Sequence, residues 1–276
     1  MFTFNIMHFD LSLESLLYAS DLTIFMSIFV TYIVSALLLV WIIYCPWFRN
    51  FFSSLKGIQG TFYSPAAAMF SLAAAFMGST LVANFNANTD AIRDERRASM
   101  TYIDFVTHTP PFTDKNLQFE VKRYLQSSLE EEWPLLKEEK TSPATEALFQ
   151  SIFLKTMAIA PVLDGTQAGR GLEQILGSWY EARSKRISFR WHQIDYVRWW
   201  VLFVVAFLLQ VSVAAVHLGE RKRTMATAIG IISALIIAVI TPLALTVNHY
   251  SGLMEVSKTP LNDVYKKLDE QFSGDM

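Results

Sequence analysis

The side chains best suited to acid–base or metal chemistry are scattered in this sequence. The five histidines are His8, His108, His192, His217 and His249, and no His-Glu-x-x-His or Gly-x-Ser-x-Gly motif is present. The single cysteine, Cys45, excludes an intrachain disulfide framework and a cysteine-based zinc site. Gly165 and Gly169, followed by Arg170-Gly171, lack the Gly-Lys-Ser/Thr ending of a phosphate loop and read as a flexible connection. Glu130-Glu131-Glu132 and Glu138-Glu139 have the charge to attract a cation. They lack the Asp/Asn spacing and glycine of a calcium loop, so they read as a solvated helix end anchored by Trp133-Pro134. These readings point to no catalytic residue, no metal site, no cofactor and no enzyme.

Polar residues inside apolar stretches say more, because a bilayer penalises them. Gln210 and His217 are seven apart and share a helix face; Thr241, Thr246 and Asn248 lie in or near the end of another apolar stretch, where Pro242 interrupts the hydrogen-bond ladder. They suit either a conduction path or hydrogen bonds between helices. Ser71, Ala75, Gly78 and Val82 form a narrow small-residue face at helical spacing, and Asn84, Asn86 and Asn88 follow it. Copies of that face around an axis would line a pore with apolar and amide groups. The same face also suits close packing on a neighbouring helix.

The elements that must hold these residues are membrane spans. Of the 276 residues 52% are apolar and 17% charged, against about 25% charged in soluble domains. Mean hydropathy is +0.29. Four uncharged stretches account for the excess: residues 22–45, 62–83, 199–218 and 225–247. A helix of 24 residues rises about 36 Å, enough for a hydrocarbon core of about 30 Å. The first stretch is too long for the apolar part of a signal peptide and reads as a retained helix. Trp41, Trp47, Trp199 and Trp200 suit the interfaces.

Residues 84–198 carry 15 basic and 16 acidic residues and read as a soluble helical block. Residues 86–106 continue the second span; Pro110-Pro111 ends that helix. Thr113 caps a helix with Leu117, Val121, Tyr124 and Leu125 near one face, closed by Trp133-Pro134. Ser142-Pro143 starts another through Leu148, Ile152 and Ile159, and Leu172, Ile175, Leu176 and Trp179 mark a third. The expected class is an all-α integral membrane protein. It has a tail (1–21), spans one and two (22–83), the soluble domain (84–198), spans three and four (199–247) and a C-terminal tail (248–276). The net charge of −2 carries no footprint for nucleic acid. The short loops hold Arg49 and Lys56, and Arg221, Lys222 and Arg223, whereas the N-terminal tail has no basic residue. Positive-inside over the short loops favours the domain on the extracytoplasmic side of a bacterial inner membrane, whereas Arg93, Arg96 and Arg97 after span two and Arg183, Lys185, Arg186, Arg190 and Arg198 before span three favour the cytoplasmic side.

Several stretches together resemble the bestrophin-like family of bacterial and plant membrane proteins. They are Asn88-Thr-Asp-Ala-Ile-Arg-Asp-Glu95, Tyr124 with Glu130-Glu-Glu-Trp-Pro134, Glu181-Ala-Arg-Ser-Lys-Arg-Ile187, and Asn248-His-Tyr-Ser-Gly252. The last departs from the family's Asp-Arg-Pro-Phe-Ser-Gly, keeping the Ser-Gly and losing the charged pair. The resemblance covers roughly residues 20–255. It implies a two-plus-two membrane arrangement with an inserted helical domain. It also implies kinship with the bestrophin anion channels, pentamers whose second membrane helix lines the pore and whose helical domain is cytoplasmic, against the charge count above.

The expected function is therefore an oligomeric membrane ion channel, homo-oligomeric in a lipid bilayer, with an anion as permeant. A non-conducting membrane-anchored interaction or sensing protein is the alternative. No Asp, Glu, Lys or Arg lies inside a span, which argues against ion-coupled transport.

Overall fold

Ser20 opens the first helix: its hydroxyl accepts the Thr23 N–H at 3.3 Å, with Asp21 in the first turn favouring the helix dipole. Helix α1 then runs Asp21–Tyr44. The computed structural model describes residues 19–45, 47, 60–110, 115–189, 195–247, 250 and 252–274. The expected cap at Thr113, the basic residues Arg49 and Lys56, Pro111, and the polar Asn248, His249 and Ser251 lie outside the described residues.

A single turn of 3-10 helix (Gly60–Tyr63) leads into α2, Ser64–His108. Then come α3 (Lys115–Ser127), a π turn (Ser128–Glu132), α4 (Trp133–Lys137) and α5 (Pro143–Ile159). A 3-10 turn (Ala160–Leu163), α6 (Gln167–Ser188), α7 (Tyr196–Val216), α8 (Lys222–Leu245) and α9 (Thr259–Gly274) follow. Among the described residues every regular element is helical, with no strand. Among the described residues five helices are long and apolar enough to cross a membrane: α1, α2, α7, α8 and Pro143–Leu163. The last falls in the stretch read from sequence as soluble.

The chain divides into two units. The first comprises Met1–Ala83 and Gln193–Val247, with α8 packed on α1 and α7. Ile24, Ile28, Tyr32 and Ala36 put a buried residue on α1 every fourth position. They meet Leu202, Ala206, Leu209 and Val213 of α7 and Met225, Ile229, Ile236 and Ile240 of α8. The outer faces are apolar too: Leu22, Leu37, Trp41, Leu208, Ile231 and Leu235 are half-exposed or more. Helices apolar on both the packed and the open faces suit a hydrocarbon solvent rather than water. Pro242 does not end α8, which runs on to Leu245.

The second unit comprises Asn84–His192 and Asn248–Met276. Its core joins Ile92, Tyr102 and Val106 of α2 to Val121 and Leu125 of α3, Ile152 of α5, and Leu172, Leu176 and Trp179 of α6. Ser142 caps α5 by accepting the Thr145 N–H, with Pro143 in the first turn, as the sequence suggests. Three expectations change. Trp133-Pro134 does not end the helix. The Trp133 N–H reaches the Ser128 carbonyl, a wide π turn that lets the chain pass Pro134, which lacks an N–H, into α4. The glycine stretch is not a flexible connection: Gly165 takes a turn at φ +71°, and Gly169 and Gly171 lie inside α6, capped by Thr166. A Cβ on Gly169 would stand 2.5 Å from the Leu163 carbonyl oxygen, so only glycine fits that approach. The C-terminal tail contains α9, whose Leu261, Val264 and Leu268 recur at helical spacing and are buried. It packs on α3, where Phe119 meets Phe272 edge-on and Lys122 pairs with Asp269 at 2.7 Å.

Candidate functional site

The pore-facing residues expected from sequence lie on α2 of the first unit and just beyond it. Ser71, Ala75, Val82, Asn84 and Asn86 are exposed; Gly78 is partly buried, and a Cβ there would lie 3.3 Å from Leu243 Cδ2 of α8. Gly78 therefore sits at a helix–helix contact, and the large apolar side chains left open on α2 are Met69, Leu72, Phe76 and Val82.

Gln210, His217 and Thr241 are not brought together by hydrogen bonds. Gln210 is fully buried: Ser35 donates to its Oε1 at 2.8 Å, and its Nε2 donates to Ser233 Oγ at 2.8 Å and the Tyr32 carbonyl at 3.3 Å. One amide thus ties α1, α7 and α8. His217 closes α7, its Nδ1 at 2.8 Å from the Val213 carbonyl. The Thr241 hydroxyl is buried and makes no hydrogen bond among the described residues.

A larger polar assembly lies in the second unit. α6 is amphipathic, and its last turns carry Arg183 and Arg186 inward, 2% and 0% exposed. α2 brings Glu95, α3 brings Tyr124, and the π turn swings Ser128 and Glu132 to the same point; all are buried. Arg183 grips Glu132 with two bonds of 2.9 Å, and bonds Glu146 Oε2 of α5 at 3.0 Å and the Tyr124 hydroxyl at 3.1 Å. Arg186 holds both carboxylates, Glu95 through Nε and Glu132 through Nη2 at 2.8 Å, and reaches Ser128 at 3.1 Å. Tyr124 donates to Glu95. The arginines are pinned from the apolar side as well: Arg183 lies over the rings of Tyr124 and Phe149 at 5.3 and 5.2 Å, and Trp179 packs against both rings.

Tyr250 extends the assembly. Its hydroxyl donates to the Arg186 carbonyl at 2.6 Å and lies 3.1 Å from the Asn88 amide. With that amide turned end for end, Asn88 Nδ2, which makes no other hydrogen bond among the described residues, becomes the donor to Tyr250. Trp133 meets Tyr250 edge-on at 5.5 Å and donates to Glu255 at 3.4 Å.

The fixed charges balance: two guanidinium groups face two buried carboxylates, with Glu146 at the edge. Burial raises the Glu132 carboxyl, but Arg186 and Arg183 outweigh it and hold the group below the usual carboxylate range. Burial opposes charge on Arg186 too, and Glu95 and Glu132 overcome it and keep the guanidinium protonated. Burial pushes the Tyr124 and Tyr250 phenols up, and Tyr102, bonded to Thr156, up to about 12. Each carboxylate and guanidinium has a partner within the assembly, and Arg186 Nη1 is buried with no hydrogen bond among the described residues. Its chemistry is to lock α2, the α3–π turn, α5 and α6 in one register, a use of buried ion pairs that specifies geometry more than it adds stability.

The reading of Glu130-Glu131-Glu132 as a solvated helix end changes: the helix runs on through the π turn, Glu130 and Glu131 are exposed, and Glu132 is turned inward. Glu95, Arg183 and Arg186 form no chemical motif in the sequence, although each stands in a stretch that carries the family resemblance. The signal was their periodicity: Glu95 falls between Ile92 and Ala98, and Arg183 and Arg186 follow Leu172, Leu176 and Trp179 on one face. Among the described residues no group of three or more His, Cys, Asp or Glu is placed to hold a metal ion.

A model of the Bestrophin-like domain matches residues 30–261. No curated protein matches the chain. A crystal structure of a bacterial bestrophin homologue from Klebsiella pneumoniae carrying a point mutation is 10% identical, with TM-score 0.67 over 90% of this chain and 98% of that chain. A zinc-phased structure of that homologue is 10% identical, with TM-score 0.66 over 89% of this chain and 97% of that one. A structure described only as a membrane protein is 8% identical, with TM-score 0.67 over 89% and 97%. At such identities the likeness is one of fold.

Proposed function

The chain belongs to the Bestrophin-like family, and from that membership we propose that it is an oligomeric membrane ion channel that conducts anions. The observation that carries the reading is the family match across residues 30–261, nearly the whole of both units. In this reading α1, residues 64–83 of α2, α7 and α8 cross the bilayer. Pro143–Leu163 stays in water with the second unit, since Thr145, Glu146, Lys155 and Thr156 pair there with Ser127, Arg183, Glu120 and Tyr102.

Copies of the chain assemble around α2. The open face supports this: Leu72 and Val82 are each more than half exposed and find no cover within their own chain. Ser71, Ala75 and Val82 face the pore as a dewetting constriction, and Asn84 and Asn86 offer amide N–H groups to an anion at its mouth. Gly78 supports the pore helix from behind, against Leu243. The short-loop charges favour the second unit outside the cytoplasm of a bacterial inner membrane, against the basic residues that flank it in the sequence.

Purified protein in planar bilayers tests the activity. Anion current is expected, and Val82→Trp should suppress it while the oligomer stays intact by size-exclusion chromatography with light scattering. A monomer in lipid, or no current across broad ranges of pH, calcium and voltage, counts against the channel. Orientation is tested separately by a single cysteine in loop 219–224 of a Cys45→Ala protein; labelling from outside intact cells overturns the extracytoplasmic assignment.

A further inference from the structure

Arg198 is placed unlike the other charges near the spans. It lies in the first turn of α7, next to Trp199 and Trp200. Its backbone N–H bonds Asp195 Oδ1 at 3.1 Å and its Nε meets Asp195 Oδ2 at 2.9 Å. Its Nη1 reaches across to α2 and donates to Thr80 Oγ1 at 3.0 Å. The guanidinium therefore lies across the gap between two helices, held by a neighbour on each. Nη2 makes no hydrogen bond among the described residues, and the side chain is 53% exposed.

Below this bridge is a cleft of about 420 Å³ between α2 and α7. Its walls are Ala73, Phe76, Met77 and Val201; Thr80 and Arg198 close its polar end. From Thr80 to Ala73 is about 10 Å along a helix axis, near a third of a hydrocarbon core of about 30 Å. The small Ala73 leaves the depth, and Phe76 and Val201 stand open on its rim, 65% and 48% exposed. Thr80 already donates to the Phe76 carbonyl, so the donors that remain at the mouth are those of Arg198.

We propose that this cleft is a binding site for an anionic phospholipid, the phosphate on Arg198 and one acyl chain along Ala73, Met77 and Val201. Charge and shape together select that occupant. An apolar slot at the depth of one leaflet takes hydrocarbon, and a laterally fixed guanidinium with spare donors takes a phosphate, in the planar geometry arginine favours. An added negative headgroup competes with Asp195 for Arg198, which ties lipid charge to the start of α7. The assignment is independent of conduction.

The test uses the full chain in mild detergent with mixed phosphatidylcholine and phosphatidylglycerol, counting retained lipids by native mass spectrometry. Phosphatidylglycerol should be enriched over phosphatidylcholine on the wild type. Arg198→Gln should lower that retention about tenfold, the loss of one charge-assisted contact. Arg198→Lys should restore part of it. Val201→Trp keeps every polar partner of Arg198 and fills the slot, so it should abolish enrichment without altering the oligomer, which separates lipid loss from misfolding. Equal retention of the two lipids on the wild type, or unchanged enrichment in both Arg198→Gln and Val201→Trp, overturns the proposal. Displacement of the lipid by millimolar inorganic phosphate alone marks a site for free anions and overturns it. Efficient disulfide crosslinking between copies through Val201→Cys in lipid marks a second copy as the occupant and overturns it too.

Discussion

The two units solve the same problem, fixing helix register, with opposite chemistry. In the first unit a single neutral amide, Gln210, ties three helices through Ser35, Ser233 and the Tyr32 carbonyl. In the second, two buried guanidinium groups and two buried carboxylates tie three helical segments, α2, the π turn and α6, and Glu146 adds α5 from the edge. In the layout proposed above, with the first unit across the bilayer and the second in water, the solvent accounts for the difference. A helix bundle facing hydrocarbon must insert from a state where ionised side chains are already costly, so its polar contact is neutral and fully bonded. A domain facing water collects charges from solvent, and they stay ionised inside only because each has its counter-charge at hydrogen-bond distance. The kind of polar node therefore reports what lies outside the helices.

The comparison breaks most visibly at Arg186. Arg186→Met leaves Glu95 and Glu132 buried with half their positive charge gone, and should cost about 3–5 kcal/mol. Thermal unfolding followed by tryptophan fluorescence reads this directly, because Trp133 and Trp179 lie in that core. Replacing the carboxylates together with the arginines by apolar residues of like volume should recover most of the loss, which separates the cost of an orphaned charge from the worth of the network.

Gly169→Ala tests the same unit without touching charge. The new methyl meets the Leu163 carbonyl at 2.5 Å, a backbone atom that cannot swing aside, so about 1–3 kcal/mol should be lost. A melting temperature equal to the wild type's would show that the 3-10 turn and α6 shift apart freely.

Gln210→Leu should cost less than either, about 0.6–2 kcal/mol in lipid or detergent. The hydroxyls it abandons already have acceptors, Ser35 at the Tyr32 carbonyl and Ser233 at the Ile229 carbonyl, so neither is left unbonded. A loss as large as that of Arg186→Met would erase the distinction between the two nodes.

Much of this architecture is visible in the chain. Long uncharged runs mark the apolar helices, and Ser142-Pro143 marks the start of α5. Three features are hidden for physical reasons. The π turn depends on a single extra residue per turn, which shifts Glu132 inward while its neighbours Glu130 and Glu131 stay in water, and no composition signal separates the three. Gly169 looks like loop punctuation because sequence cannot show the carbonyl pressed against it. α9 is short and polar on average, and only the spacing of Leu261, Val264 and Leu268 betrays the face it buries. The charge network escapes the sequence for a related reason: Glu95, Arg183 and Arg186 are apart by up to 91 positions, and a charge among charges reads as surface until its helix face is known.

The smallest effect, and the sharpest separation of the two nodes, is in pH. The Glu132 carboxyl is held below its ordinary value of 4.5. A carboxyl depressed by folding contributes stability that is present above its unfolded value and disappears as pH falls through its folded one. Lowering the pH from 7 to 5 should therefore leave the second unit unchanged, with loss beginning only below about 4.5. At the other end, Tyr124 and Tyr250 are buried as neutral phenols, raised above their ordinary value of 10.0. Their contribution is complete below that value and declines above it, as the unfolded phenols ionise. The amide of Gln210 has no proton to exchange in this range, so its node should give a flat profile at both ends. Arg186→Met supplies the control: without the guanidinium that lowers Glu132 the acid edge must move upward, and an edge that stays in place would mean that Arg183 alone holds the carboxylate ionised.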